Sequence, residues 1–327
     1  MDKLITAFPQ NITSSLESAS KINFKTPAHE IKNLVFIGMG GSGIGAKIVS
    51  GWVQDEIKIP VQLLQDYTLP KFVDKHTLII ACSYSGNTEE TLACLLLAKN
   101  QDAHIVGICS GGKLETFCND NGFDCVVIPG GNPPRSATAF SVIHISNILV
   151  KFNLIDSKIL KTLANSTQII DDNIGLIKEE ANKLAVFLKD KVAVFYSTTE
   201  YEPVLIRARQ QFNENSKLLC IHHVIPEMNH NELVGWGGGN DTFATVFFDT
   251  KDMNIQNEKR FELTRDEVSK RTANVLTIDA KGKNKIERTF YLIHIVDWAS
   301  LYLSTLKQVD PMDIICIDYL KSELGKL

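Results

Sequence analysis

The amino-acid sequence predicts an α/β protein of two domains, each built around a parallel β-sheet. Short apolar runs alternate with helix-like segments in the first half of the chain, and the same alternation restarts at Val192. Continuous apolar runs are typical of strands that helices cover on both faces. A chain of 327 residues is also long for a single hydrophobic core, so we expect two domains.

The first half of the chain supplies five predicted strands and the helices between them. Residues 1 to about 30 are mixed and polar and indicate a helical or irregular lead-in. Ile44, Ile48 and Trp52 are four residues apart, which places them on one face of a helix. We predict strands at residues 33–37, 61–64, 77–82, 104–109 and 124–128, and helices at 44–53, 92–98, 113–119 and 137–150.

The second half repeats this pattern after a polar, helical connector at residues 151–190. A strand is predicted at residues 192–196, and Pro203 suits the first turn of the helix that follows it. We place the domain boundary between residues 152 and 153. Further strands are predicted at residues 242–248 and 274–278, and C-terminal helices at 286–306 and 312–324.

Composition and charge argue against several kinds of partner. The formal net charge is −4 and there is no basic block, which argues against nucleic acid and against an anionic membrane surface. The seven cysteines are odd in number and include no Cys-x-x-Cys pair, which favours reduced thiols in a cytoplasmic protein over a disulfide framework or a metal site. The N-terminus lacks a signal-peptide pattern, and no apolar run approaches a membrane span in length.

A turn rich in hydroxyl groups follows the predicted strand at residues 77–82. Ser83, Ser85 and Thr88 precede the next helix, whose first N–H groups have no partner within the helix and carry partial positive charge. Such a helix start binds phosphate, and hydroxyl donors strengthen it. Asn87 and Glu90 have the spacing of a capping box, so an ordinary capped turn is the competing interpretation.

The first glycine-rich turn admits two interpretations. Gly38-x-Gly40-x-x-Gly43 follows a strand and precedes a helix, as in a dinucleotide-binding fingerprint, and Asp66 stands roughly where a ribose-binding acid would lie. A nicotinamide-dependent dehydrogenase is therefore one hypothesis. Ser42 inside the turn favours the other, in which two neighbouring strand ends hold one monophosphate. The second α/β unit also looks like a repeat of the first rather than a dissimilar catalytic domain.

Several motifs together resemble those of a known family. Their order and spacing are those of sugar isomerase (SIS) domains and, more narrowly, of the bifunctional phosphoglucose/phosphomannose isomerases. The resemblance covers essentially the whole chain, and it implies two flavodoxin-like SIS domains at residues 1–152 and 153–327. The motifs are Gly40-Gly41-Ser42-Gly43, residues 83–91, Pro134-Arg135-Ser136-Ala137, Asn213-Glu214-Asn215, residues 226–232 and residues 317–321.

The resemblance implies an aldose–ketose isomerase. It would interconvert glucose 6-phosphate and mannose 6-phosphate with fructose 6-phosphate through a cis-enediol. No cofactor and no metal ion are implied, and a base, a ring opener and an arginine suffice. The competing hypothesis from another class is a regulator that binds a sugar phosphate without chemistry. The substrate phosphate is expected on Gly41, Ser42, Ser83, Ser85 and Thr88.

Four further residues receive roles from the resemblance. Glu214 corresponds to the base that moves the proton, and Arg135 follows two prolines and would hold the enediolate charge. His230 corresponds to the ring-opening histidine, which in the family reaches the neighbouring subunit's site and so implies a homodimer. Lys321 corresponds to a lysine near the ring oxygen. The alternative for the histidine, His222-His223, lies between apolar pairs that indicate strand packing.

Overall fold

The computed structural model describes residues 1–326. The chain divides into two compact units, one formed by Thr6–Gln168 and the other by Met1–Ile5 together with Ile169–Leu327. None of the helices in the described part of the chain has the length and apolar content needed to cross a membrane.

The first unit contains a five-stranded, fully parallel sheet with the strand order β2-β1-β3-β4-β5. This is the flavodoxin-like order, in which the chain first moves to one side of β1 and then crosses to the other. All six residues of β3 are buried, as expected for a strand covered on both faces. The strands are β1 (Asn33–Ile37), β2 (Val61–Leu64), β3 (Thr77–Cys82), β4 (His104–Cys109) and β5 (Asp124–Val127).

The helices of the first unit cover this sheet, and its apolar core includes Val35, Ile79, Leu95 and Ile105. A short 3-10 turn at Pro134–Ser136 leads into a helix that is buried along almost its whole length. The helices are α2 (Phe8–Ser20), α3 (Gly40–Val53), α4 (Glu89–Lys99), α5 (Gly112–Asn121), α6 (Thr138–Lys151) and α7 (Lys158–Ser166).

The second unit repeats the arrangement with four parallel strands in the order β7-β6-β8-β9. The strands are β6 (Val192–Thr198), β7 (Cys220–Ile225), β8 (Phe243–Asp249) and β9 (Val275–Asp279). The helices are α1 (Asp2–Thr6), α8 (Gln168–Leu188), α9 (Glu202–Ser216), α10 (Glu232–Gly235), α11 (Ile255–Ser269), α12 (Lys285–Leu306) and α13 (Ile315–Leu324).

The predicted α/β class and the repetition of one parallel unit are confirmed. The predicted strands match the observed ones to within two residues at each end. Helices α3 and α4 begin earlier than predicted, at Gly40 and Glu89, because the residues after each turn already take helical conformation. The indication of strand packing around His222-His223 is also confirmed, since both residues lie in β7.

Candidate active site

The two phosphate-binding turns predicted from the sequence lie side by side at the carboxyl ends of β1 and β3. These strands pair in parallel with Ile37 opposite Ala81, so the turns that follow them emerge together. The Ser42 hydroxyl accepts a hydrogen bond of 2.9 Å from the Tyr84 N–H, which joins α3 directly to the second turn. In a flavodoxin-like sheet this position is the topological switch point, where ligands bind.

The second turn is closed by its own hydroxyl groups. Ser83 is fully buried, and its Oγ lies 2.7 Å from the Thr88 Oγ1. The Thr88 N–H also donates to Ser83 Oγ at 3.3 Å. Ser85 is exposed, and its hydroxyl accepts from the Asn87 N–H at 3.2 Å. Ser83 therefore shapes the turn from inside, whereas Ser85 faces outward.

The predicted capping box at Asn87 and Glu90 is wrong. Thr88 occupies the position before α4 and makes no side-chain cap. The Asn87 Oδ1 instead accepts a hydrogen bond of 3.1 Å from the Lys113 N–H in the first turn of α5. The amide therefore satisfies a free N–H of a neighbouring helix rather than of its own.

Arg135 lies in the 3-10 turn that packs against the first glycine-rich turn. Its side chain is almost fully buried, with 3% exposed. A Cβ atom at Gly41 would lie 2.8 Å from the Arg135 backbone nitrogen, so only glycine permits this approach. The structure thus brings Arg135 together with Gly41, Ser42 and the Ser83–Thr88 turn inside one unit.

The sequence reasoning missed Tyr84, which connects these parts. Its hydroxyl donates to the Pro129 carbonyl at 3.1 Å and accepts from the Asn132 N–H at 3.0 Å. Residues 129–132 lead directly into the turn that carries Arg135. A tyrosine beside serines has no sequence signal for this role, because the partners of its hydroxyl lie 45 and 48 residues away.

The crevice between these turns is narrow. Its volume is about 10 Å³, and Gly41, Ser42, Ser83 and Pro134 are among the residues that line it. A hollow of about 660 Å³ lies elsewhere in the same unit, along residues 23–31 and 151–154. No predicted site residue lines that hollow. We place the site at the strand ends, because ligands of such sheets bind at the topological switch point, whatever the size of other hollows.

In the second unit, Glu214 lies half-buried in the last turn of α9. The helix is fixed against α12 by polar contacts at regular spacing. Arg207 and Asp297 form a buried two-pronged ion pair of 3.0 and 2.6 Å, and Gln211 donates to the same carboxylate at 2.7 Å. One turn further on, Asn215 donates to Ser300 Oγ at 2.9 Å. These contacts fix the rotation of α9 and hence the direction of the Glu214 side chain.

The end of α9 is also linked to the segment before α13. The Lys217 ammonium donates to the Glu214 carbonyl at 2.8 Å and to the Asp313 carbonyl at 2.9 Å. Lys321 is exposed on α13, a helix that has no buried residue. Glu214 and the start of the helix that carries Lys321 are therefore neighbours within this unit.

His230 is exposed in a 3-10 turn at Glu227–His230. The turn is anchored by its neighbours, because Met228 is fully buried and the Asn229 amide donates to Thr264 Oγ1 at 2.7 Å. The competing histidine, His223, is engaged on β7, where its Nδ1 lies 2.7 Å from a Glu232 oxygen. Among the residues that the structure describes, no cluster of His, Cys, Asp or Glu has the arrangement of a metal site.

The fold and its turns define the chain as a SIS-domain protein. A model of the SIS domain matches residues 29–127, and a model of the bacterial phospho-glucose isomerase C-terminal SIS domain matches residues 177–324. Among solved structures, the C-terminal domain of glucosamine-fructose-6-phosphate aminotransferase from Francisella tularensis has a TM-score of 0.75 at 15% identity, covering 95% of this chain and 96% of that one. At that identity the likeness speaks to the fold alone.

Two named relatives show which family of SIS-domain proteins this chain belongs to. A protein of Caldicellulosiruptor bescii named bifunctional phosphoglucose/phosphomannose isomerase is 35% identical over 330 aligned positions, covering 98% of this chain and 97% of that protein. A relative of the same name from Thermoplasma acidophilum is also 35% identical, covering 90% of each chain. The chain belongs to the bifunctional phosphoglucose/phosphomannose isomerase family.

Proposed function

We propose that the chain is an aldose–ketose isomerase that interconverts glucose 6-phosphate and mannose 6-phosphate with fructose 6-phosphate. The observation that carries the proposal in the structure is the contact between Ser42 and Tyr84 at the switch point. It joins two helix starts, both rich in hydroxyl groups, into one candidate phosphate site. Membership of the family supplies the reaction and the substrates.

The substrate phosphate binds at the starts of α3 and α4. Free N–H groups and the helix dipoles attract the phosphate charge there, and Ser42, Ser85 and Thr88 add hydroxyl donors. Ser83 acts from beneath by holding Thr88. Because the crevice is about 10 Å³, the phosphate lies at its mouth rather than within it. Gly41 contributes its backbone to the same site, and its lack of a Cβ lets the Arg135 turn pack against it.

Proton transfer between C1 and C2 is the task of Glu214. The carboxylate removes the proton from one carbon and returns it to the other through a cis-enediolate. Arg135 stabilises the negative charge of that intermediate, because a guanidinium stays charged and donates several N–H groups in a fixed plane. The buried turn that holds Arg135 keeps the guanidinium from reorganising during the reaction.

Opening of the sugar ring is assigned to His230, with Lys321 near the ring oxygen. The exposure of both side chains supports a site completed by a second copy of the chain, so we propose a homodimer in which His230 is shared across the interface. We also propose a cytoplasmic location, since the cysteines of the described residues are free thiols, as is usual in a reducing compartment.

The proposal is tested by assaying the purified protein with each aldose 6-phosphate, with and without a chelator. We expect turnover of both substrates that the chelator leaves unchanged. Glu214→Gln should still bind fructose 6-phosphate while its kcat falls by about 10²- to 10⁴-fold, the usual contribution of a general base. Glu202→Gln, at the other end of the same helix, is the matched control and should keep wild-type turnover.

Three outcomes would contradict the proposal. Near-normal turnover by Glu214→Gln that still binds fructose 6-phosphate would remove the base assignment. Binding of sugar phosphates by the wild-type protein without any turnover would instead indicate a regulator. Binding of NAD in a calorimeter would revive the dinucleotide interpretation of Gly38 to Gly43.

A further inference from the structure

Both oxygens of the Glu232 carboxylate are engaged within the second unit. One accepts a hydrogen bond from the Tyr196 hydroxyl, and the other lies 2.7 Å from His223 Nδ1. The Tyr196 oxygen in turn accepts a hydrogen bond of 2.9 Å from Trp236 Nε1. We call these four residues, Tyr196, His223, Glu232 and Trp236, the Glu232 network.

The Glu232 network is set into the core of its unit. Tyr196 is fully buried, and Trp236 is 7% exposed. The Tyr196 ring packs against Phe247 at 5.3 Å, and Met228 belongs to the same apolar cluster. A buried phenol needs its hydrogen-bond partners, so losing the carboxylate would leave a buried donor unsatisfied. The network therefore ties α10 firmly to β6 and β7.

The Glu232 network anchors the backbone after His230, and a second set of contacts anchors the backbone before it. Before His230, Met228 is buried and Asn229 is bonded to Thr264 at 2.7 Å. After it, Glu232 is bonded to two neighbouring strands. The exposed imidazole is therefore carried on a short backbone segment with both ends fixed, which limits the positions that the ring can reach.

We propose that Glu232 is a positioning residue for His230 in ring opening. The inference rests on the role of His230 in the proposed function. An imidazole that exchanges a proton with the sugar ring oxygen must lie within hydrogen-bond reach of it, and a shift of about 1 Å can cost about 100-fold in rate. We assign Glu232 no proton transfer of its own, because it is held within its network by Tyr196, which donates to one oxygen, and by His223, which lies 2.7 Å from the other.

The test compares kcat and KM for Glu232→Ala, Glu232→Gln, His230→Ala and the double variant Glu232→Ala/His230→Ala. We expect Glu232→Ala to lose about 10- to 100-fold in kcat, with KM within about threefold of wild type. Glu232→Gln keeps an oxygen for Tyr196 and should recover most of that loss. The matched control is Glu227→Ala, since Glu227 is an exposed carboxylate on the same turn that accepts only a 3.3 Å bond from Asn231.

The double variant separates positioning from general damage. If Glu232 acts through His230, its removal from the His230→Ala background should change kcat by less than about threefold, so the two effects do not add. Inhibition by an open-chain five-carbon aldonate 5-phosphate, which resembles the enediolate and needs no ring opening, should stay within about threefold of wild type in Glu232→Ala. Hydrogen exchange should be faster at residues 229–235 in Glu232→Ala and unchanged in Glu227→Ala.

Additive losses in kcat would overturn the proposal, as would wild-type turnover by Glu232→Ala. Equal loss of inhibitor binding would do so as well, because the damage would then reach the whole site. Failure of the proposed function is distinct, since the wild-type protein would then show no isomerisation at all. In that case hydrogen exchange alone would test whether Glu232 fixes the backbone segment that carries His230. Unchanged exchange in Glu232→Ala would overturn that claim.

Discussion

The hydroxyl of Tyr84 accepts a hydrogen bond of 3.0 Å from the backbone N–H of Asn132 and so connects the Ser83–Thr88 turn with the segment before Arg135. The same hydroxyl donates to Pro129 at 3.1 Å. At its backbone, Tyr84 donates to Ser42 Oγ and accepts from the Ser110 N–H at 2.8 Å. Tyr84 thus links the end of β3 with the segments after β1, β4 and β5, and the spacing between the Ser83–Thr88 turn and the Arg135 turn depends on it.

Removing that one hydroxyl should lower kcat with little change in substrate affinity. Tyr84→Phe keeps the ring but leaves the Asn132 N–H without its partner, so the Arg135 turn can shift relative to the phosphate. We expect kcat to fall by about 10- to 100-fold. KM and competitive inhibition by inorganic phosphate should stay within about threefold of wild type, because the helix starts are intact.

The control for Tyr84→Phe is Tyr67→Phe, which removes an exposed hydroxyl in the same unit. It should leave kcat and KM unchanged. Steady-state kinetics with fructose 6-phosphate, together with thermal unfolding, measure all three proteins. If Tyr84→Phe weakens phosphate binding as strongly as it lowers kcat, the hydroxyl supports the whole site rather than the arginine turn.

The close approach of two turns at Gly86 makes that position intolerant of any side chain. Gly86 has a φ of +69°, and a Cβ there would lie 1.7 Å from the Gly111 carbonyl oxygen. Gly86→Ala should therefore force the Ser83–Thr88 turn away from the start of α5. The left-handed backbone alone costs about 1–2 kcal/mol, and the clash adds to it.

We expect Gly86→Ala to lower the melting temperature and to weaken inhibition by inorganic phosphate at least about tenfold. Gly175→Ala is the control, because Gly175 lies within α8 and a Cβ there meets nothing within 4 Å. That variant should be stabilised by up to about 1 kcal/mol, since alanine favours the helix. Normal phosphate inhibition in a folded Gly86→Ala protein would contradict this placement of the phosphate.

The fold was predictable where local pattern and burial agree. Residues 78–82 are all apolar because both faces of β3 are covered, and the hydroxyl-rich turn after them marks the end of the strand. Asn87 shows where such reasoning fails. The local rule makes it a cap for its own helix, but Lys113, 26 residues further on, takes the amide oxygen instead.

The residues of the candidate site could be predicted from the sequence, but the contacts among them could not. Ser42, Ser83 and Arg135 were identified from motifs, and the structure places their turns together. Tyr84 and Glu232 were not assigned roles, because the folded sheets bring them their partners: Pro129 and Asn132 lie 45 and 48 residues from Tyr84, and Tyr196 lies 36 residues from Glu232. The roles of Glu214, His230 and Lys321 remain predictions that rest on family resemblance.

The buried pair of Arg207 and Asp297 predicts a distinctive pattern of stability. Both side chains are at most 5% exposed. Asp297→Asn removes one charge and leaves the guanidinium uncompensated, which should cost about 3–5 kcal/mol of unfolding free energy. Arg207→Met/Asp297→Leu removes both charges and should be much less destabilised, because the desolvation cost disappears as well. Urea unfolding measures both variants.

The control for this pair is Lys183→Met, which removes surface ion pairs of 2.9 Å with both Glu179 and Glu180. Exposed pairs contribute at most about 1 kcal/mol, so this variant should unfold close to wild type. A double variant as unstable as Asp297→Asn would mean that the helix contact needs the polar groups themselves and not only the balance of charge.

His144 should make the first unit less stable as the pH falls. It is 3% exposed in α6, and burial lowers its pKa to about 4. Between pH 6.5 and 4 the unfolded chain binds a proton that the folded chain does not, so the free energy of unfolding falls by about 3 kcal/mol across that window. Above pH 6.5 this contribution is constant. His144→Leu should therefore lose about 2 kcal/mol less than wild type between pH 7 and pH 5 in urea unfolding. Parallel pH profiles for His144→Leu and wild type would show that the buried imidazole is already protonated, or is reached by water, in the folded state.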